Sequence, residues 1–310
     1  MKLLLNLLNK KRQGQPLKKR PSKKARRLHW RGQGTTPNIL NLGLLNMSGM
    51  QGKLVEVGNL LSGRSHRGKT NKLDFLACNE TWESDRHDFN LDTHKWFGKP
   101  SKRERAGIGF WVKNSLAGYC TTPDFLSNHP DILWLQLITA KGVFFLAVFY
   151  SQPGEAHIEG HKEILQALTD DMAKMEGLGT PIVLGDANAD MIKYAHKPHS
   201  VALKDFCRKT KMISLKDTSL EDYSTWSFQG PMGKSAPDHI LVPKDFLEQA
   251  SKLTIHHNIS CGSDHRLMTV QCNGQALIDE DIWGNQEQEH TDWSEEETKL
   301  YENDLLPSLL

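Results

Sequence analysis

The chain has 310 residues, 38% of them hydrophobic, and a formal net charge of +2. That length supports a sizeable core, and no run of about 18 apolar residues exists that would cross a membrane as a helix. The near-neutral total hides an asymmetry: residues 1–34 carry twelve Lys or Arg and no acid, whereas residues 279–304 carry eleven Asp or Glu against the single Lys299.

Taken in chain order, Leu3 to Leu8 is broken by Asn6 and leads into more basic residues rather than a small-residue cleavage site, so it is not read as a secretory signal. The run from Lys18 to Arg27 holds too much like charge to fold alone. Residues 1–36 are therefore expected to form a basic arm, suited to phosphate-backbone attraction or nuclear import. The globular pattern follows. Strands are predicted over Ile39 to Leu45, Leu73 to Cys78, Gly107 to Val112, Ile132 to Ile138, Val143 to Tyr150 and Pro181 to Leu184, and further strands near 224–228, 238–242 and 265–271. Apolar spacing predicts helices over 52–61 and Ile158 to Met175, and another near 200–208. Strands lead and helices intervene singly, which predicts sheets covered by helices in one domain over residues 37–274. Residues 275–310, acidic and bearing Trp283 and Trp293, read as a linker or the start of a further segment. Five cysteines, odd in number and widely spaced, suggest reduced intracellular thiols rather than a disulfide framework or zinc site.

Several strand ends carry polar residues that a core does not need. Gly185-Asp186-Ala187-Asn188 follows a buried strand directly, so an acid and an amide can both face a phosphate there. Asn46, Glu80 and Tyr150 end other strands, Asp238 opens one, and Ser263-Asp264-His265 precedes the last. Asn46, Glu80 and Asp264 offer only oxygens, the donor type Mg²⁺ takes. Phosphoryl transfer needs an oriented water, a cation on the charged oxygens and donors at the leaving group, and this set can supply each.

In this order the motifs resemble the endonuclease/exonuclease/phosphatase superfamily, over about residues 38–272. The resemblance implies an α/β fold, a four-layer α/β sandwich of two packed mixed sheets flanked by helices. It also implies a Mg²⁺-dependent phosphodiesterase, with Mn²⁺ as substitute, acting on DNA in the nucleus. By the same resemblance Asn46 lies near metal and phosphate, Glu80 binds the metal, and Asp264 stands beside it. Tyr150 and Asn188 touch the phosphate, Asp186 orients or deprotonates the attacking water, and Asp238 holds the catalytic His265. Pro237 stands where the family usually carries Ile, and Ser48 where some repair enzymes carry an acid. Asp238-His239-Ile240-Leu241 and the acidic exit are most similar to the retrotransposon endonuclease branch, which implies nicking of target DNA and continuation into a reverse transcriptase. The alternatives are an abasic-site repair endonuclease and a catalytically inert nucleic-acid-binding module.

Overall fold

Long strands with both faces apolar must be covered on both sides, and the chain provides several: every residue of Gly142–Tyr150 is buried. The computed structural model describes residues 39–273 except 66–67, 70–71, 86–88, 140–141, 217–225 and 252. The basic arm and the acidic exit lie outside the described residues. In chain order the elements are β1 (Ile39–Asn46), α1 (Leu54–Leu61), a ribbon of β2 (Arg64–Ser65) and β3 (Gly68–Lys69), β4 (Phe75–Asn79), β5 (Asn90–Leu91), β6 (His94–Lys99), β7 (Ile108–Lys113) and α2 (Asn114–Ala117). Then come β8 (Cys120–Thr121), β9 (Ile132–Thr139), β10 (Gly142–Tyr150), α3 (Ile158–Met175), β11 (Thr180–Asp186), α4 (Pro198–Thr210) and β12 (Met212–Ser214). The hairpin β13 (Phe228–Gly230) and β14 (Gly233–Ser235) leads to β15 (Asp238–Pro243), β16 (Thr254–His256) and β17 (Leu267–Asn273).

One sheet has the order β16-β17-β1-β4-β7-β6-β5, the other β12-β15-β11-β10-β9-β8. Each is mixed, with one parallel pair, β1 with β4 and β10 with β11. Because side chains alternate across a strand, each strand divides its residues between two layers. Leu40, Leu42 and Leu44 of β1 meet Phe144, Leu146 and Val148 of β10, Ile182 and Leu184 of β11, and Ile240 and Val242 of β15 in the core between the sheets. The opposite face of the second sheet, with Phe145, Phe149 and Val183, packs under Ile164, Leu165 and Leu168 of α3 and Leu203 and Phe206 of α4. Across the first sheet, Leu45, Leu76 and Trp111 pack under Val57, Leu60 and Leu61 of α1. These four layers are the predicted sandwich. A one-residue slip of β1 would put Asn41 and Gly43 where Leu42 and Leu44 now fill the inter-sheet core, burying an amide without its partner, and is strongly disfavoured.

That register also aims the polar strand ends. Asn46, Tyr150, Asp186 and Asp238 all have the parity of the inter-sheet core residues of their own strands, so they continue that face at the strand ends. Gly185, of opposite parity, lies where an added Cβ would come within 2.4 Å of both the Phe149 ring and the Phe149 carbonyl oxygen. Gly185→Ala is therefore expected to destabilise the fold by about 1–3 kcal/mol, read as a lower urea midpoint; an unchanged midpoint would mean β10 and β11 can part locally.

The structure adds to and moves some predicted elements. β6 is an unpredicted strand within the first sheet, and the last strand is Leu267–Asn273 rather than 265–271. The strand expected near 224–228 starts at Phe228, and positions 224 and 225 are outside the described residues. Trp226, within the stretch expected as a strand, is half-buried near the surface, stacked on His257 with ring centroids 4.3 Å apart and covered by Lys234 Nζ at 4.0 Å.

Candidate active site

Antiparallel pairing of β11 with β15 places Asp186 directly opposite Asp238, and both carboxylates are buried. Two facing acids in a desolvated site repel each other unless a cation or proton intervenes. His265, also buried, supplies it: its Nδ1 lies 2.8 Å from Asp238 Oδ2 and its Nε2 3.8 Å from Asp186 Oδ2. Burial works against charge on the ring, but Asp238, Asp186 and Asp264 outweigh it and raise the imidazole to about 10. The ring is then an imidazolium whose Nδ1–H donates to Asp238. Its Nε2–H points toward Asp186 across a gap too long for a hydrogen bond, so it can donate to an incoming oxygen. Asp186 responds in the opposite direction. Burial and the facing Asp238 push its carboxyl up to about 7, against the lowering influence of His265, the Asn188 amide and Asn46.

Pro237 leaves this geometry intact. Its carbonyl accepts from the Ala187 amide at 3.1 Å, while the Asp238 amide reaches Ser227 Oγ at 3.4 Å. Ser263 accepts the His265 amide at 3.0 Å, which fixes the turn from which the ring projects.

Asn46 connects the two sheets. Its side-chain amide donates to Glu80 Oε1 and to Asp186 Oδ2, each at 2.9 Å, and its Oδ1 accepts the Ser48 amide at 3.0 Å. The Asp186 carboxylate is completed by the Asn188 amide, which reaches Oδ1 at 2.9 Å, an Asx turn. Asn188 has φ +47°, a left-handed conformation that Asn tolerates, and its side chain donates to the Ser151 carbonyl at 2.8 Å. Ser151 also donates its amide to the Asp186 carbonyl at 2.9 Å, and its Oγ meets His161 Nδ1 at 2.8 Å. Tyr150 is buried, and burial together with the nearby Glu80 and Asp186 raises its phenol, so it stays a neutral donor.

Of the eight residues singled out from sequence, Asn46, Glu80, Tyr150, Asp186, Asn188, Asp238 and His265 surround this point. Asp264 is exposed, and its Oδ1 accepts from Ser48 Oγ at 2.7 Å rather than joining Asn46 and Glu80. His239 is structural, buried with Nε2 2.8 Å from the Ala189 carbonyl oxygen. Sequence reasoning missed Ser151, Ser227 and Ser263 as supports for the site. Only Ser263 carried a signal, being two residues before His265.

The donor chemistry fits a hard divalent cation. Glu80 is only half-buried, so water can complete a coordination shell about its carboxylate, whereas the Asn46 amide N–H₂ already fills the point where Glu80 and Asp186 converge. The buried trio of Asp186, Asp238 and His265 has donor atoms within 4.8 Å of one another. It is a poorer cation site, because the charged imidazolium already fills that space.

A phosphate oxygen placed beside these residues would meet an imidazolium N–H, a phenol and a side-chain amide, next to carboxylates able to take a proton. Such a site defines a phosphoester hydrolase. The profile of the endonuclease/exonuclease/phosphatase family matches residues 43–265, and the chain belongs to that family. Its members are phosphodiester-hydrolysing nucleases or phosphatases, generally dependent on a divalent metal. No curated protein sequence matches the chain.

Solved structures share the fold. The AP endonuclease LMAP from Leishmania major superposes with a TM-score of 0.61 at 13% identity, over 81% of this chain and 96% of that one. The endonuclease domain of TRAS1, a telomere-specific non-LTR retrotransposon, gives 0.58 at 14% identity, over 76% and 99%. The 3′-5′ exonuclease NExo from Neisseria meningitidis gives 0.59 at 13% identity, over 76% and 100%.

Proposed function

We propose that the protein is a Mg²⁺-dependent DNA endonuclease that nicks target DNA, of retrotransposon origin, working in the nucleus. The observation that carries this reading is the imidazolium of His265, held by Asp238 at 2.8 Å and facing Asp186 at 3.8 Å. In this reading Asp186 takes the proton of the attacking water, helped by a carboxyl already raised toward neutrality. His265 Nε2–H, Tyr150 and the second N–H of the Asn188 side chain hold the phosphate oxygens on which charge accumulates. Glu80 and Asn46, with Asp264 nearby through Ser48, would hold Mg²⁺ or Mn²⁺. When bound, the ion supplies charge neutralisation at the phosphate and leaving oxygen.

Incubating the full chain with supercoiled plasmid, with and without Mg²⁺, tests the reading: nicked circles only with the metal are expected, and no cleavage under any divalent ion would leave an inert binding module. Comparing an abasic duplex with the plasmid separates it from an abasic-site repair endonuclease. Glu80→Gln removes one anionic oxygen at nearly constant volume. It is expected to raise the Mg²⁺ needed for half-maximal nicking by about tenfold or more, since even outer partners of a metal carry that much. A titration overlaying wild type would remove Glu80 from the ligands.

The proposed domain division assigns residues 1–36 to DNA affinity rather than chemistry, and residues 275–310 to a linker toward a reverse transcriptase. Deleting residues 1–34, with their twelve Lys or Arg, is expected to flatten the slope of log affinity against log salt by several units, at about 0.9 per neutralised phosphate. Turnover at saturating DNA should persist. An unchanged slope would leave the arm to nuclear import.

A further inference from the structure

The segment Glu80 to Trp82 is held in a costly shape. Glu80 has φ +47° and Trp82 φ +57°, and bulky side chains rarely occupy that region unless their surroundings enforce it. Here hydrogen bonds enforce it. The Thr81 amide reaches the Gly107 carbonyl and the Trp82 amide the Ala106 carbonyl, at 3.1 and 2.8 Å. In return Glu80 and Thr81 accept from the Gly49 and Met50 amides at 2.8 and 3.0 Å.

The result turns one side chain inward and the other outward. Glu80 faces the active site, while the Trp82 ring stays 48% exposed. The ring is nevertheless seated. A Cβ added at Gly49 would lie 2.6 Å from it, so the ring rests on the backbone there, and its Nε1 donates to Glu80 Oε2 at 3.3 Å.

Beside this ring a cleft of about 410 Å³ opens, lined by Trp82, Ser84 and the run from Ser101 to Arg105, the acid Glu104 included. Arg103 is committed to Asp131 and to Gln152. Lys102 is exposed, and Arg105 lies 6.0 Å over the Trp82 ring and 3.8 Å from the exposed Glu104. An exposed indole beside exposed cations has the composition of a base-stacking platform flanked by phosphate contacts.

We propose that this cleft takes one unpaired nucleotide of the substrate strand, its base stacked on Trp82 and its phosphate on Lys102 and Arg105. The inference rests on the nuclease reading, because the indole N–H joins the cleft to Glu80 and so places that nucleotide next to the scissile phosphate. The cleft's volume suits a single nucleotide rather than a duplex, and duplex bases present no free face for stacking. The enzyme therefore favours DNA in which one nucleotide beside the cut is unpaired.

The test measures binding without turnover, in EDTA, using a ten-nucleotide single strand carrying 2-aminopurine and the same strand fully paired. Trp82→Ala is expected to weaken single-strand binding by about fivefold or more, the range for loss of one base–aromatic stack. Trp82→Phe, which keeps a ring but loses the N–H to Glu80, should bind close to wild type. The double variant K102E/R105E should flatten the single-strand salt slope by about 1.4, two contacts at about 0.7 each. Unchanged single-strand affinity in Trp82→Ala and K102E/R105E overturns the proposal. Equal losses on single strand and duplex also overturn it, since the cleft would then be a duplex backbone contact. A wild-type chain that shows the expected binding pattern but never nicks plasmid would sink the nuclease reading while leaving the nucleotide site standing.

Discussion

Asp186→Asn is expected to reduce plasmid nicking by about 10²–10⁴-fold, the span that a positioned general base contributes, while uncleaved DNA binds within about twofold of wild type. The substitution keeps volume and an oxygen able to accept the Asn188 amide, which now reaches Oδ1 at 2.9 Å. What disappears is the carboxylate that takes the water's proton. Because Asp186 faces Asp238 across β11 and β15, neutralising one acid also relieves a buried like-charge pair. That relief is offset by the lost bond from the Asn46 amide, which donates to Oδ2 at 2.9 Å and would face the new amide donor against donor, so the variant should melt close to wild type. A rate within tenfold of wild type would show that another group activates the water. A rate loss accompanied by a lower melting temperature would trace the defect to folding instead.

Much of this arrangement was legible because the same period-2 pattern that builds the core also aims the site. Reading Pro181 to Leu184 as a buried strand fixes the face on which Asp186 emerges, and the same holds for Tyr150 after its strand. The partner of His265 was legible only through resemblance. Asp238 and His265 are 27 residues apart and meet at 2.8 Å through the packing of two different sheets, which no local pattern encodes. β6 was missed because His94–Lys99 mixes Lys95, Gly98 and Lys99 with its apolar residues and buries few of them. Strands of two or three residues, such as β8, β12 and β16, are too short to display a period at all. The surface setting of Trp226 was hidden for a different reason: Lys234, His257 and Arg266, which surround its ring, come from three distant segments. The cleft beside Trp82 combines residues 82–84 with 101–105 in the same way.

Asp238→Asn is expected to lower nicking by about 10²-fold and to move the whole pH–rate profile toward acid, a signature a simple loss of packing would not produce. In the wild type the rate should rise as Asp186 ionises near pH 7 and fall as His265 loses its proton near pH 10, which gives a bell between these limits. Asp238 raises both groups. It repels the Asp186 carboxylate, second only to burial as a cause of the upward shift, and it attracts and hydrogen-bonds the imidazolium. Removing its charge lets Asp186 ionise at lower pH, so the acid limb moves down. It also leaves burial less opposed at His265, so the ring loses its proton sooner and the alkaline limb moves down with it. The size of the rate loss follows from the second effect: a neutral ring no longer offers a cationic Nε2–H to the developing phosphate charge. Initial nicking rates of wild type and Asp238→Asn from about pH 5 to 11, at saturating metal and DNA, measure both limbs. If only the amplitude falls and both limbs stay in place, Asp238 does not set the charge of His265. If the alkaline limb moves up, the imidazolium assignment is wrong in sign.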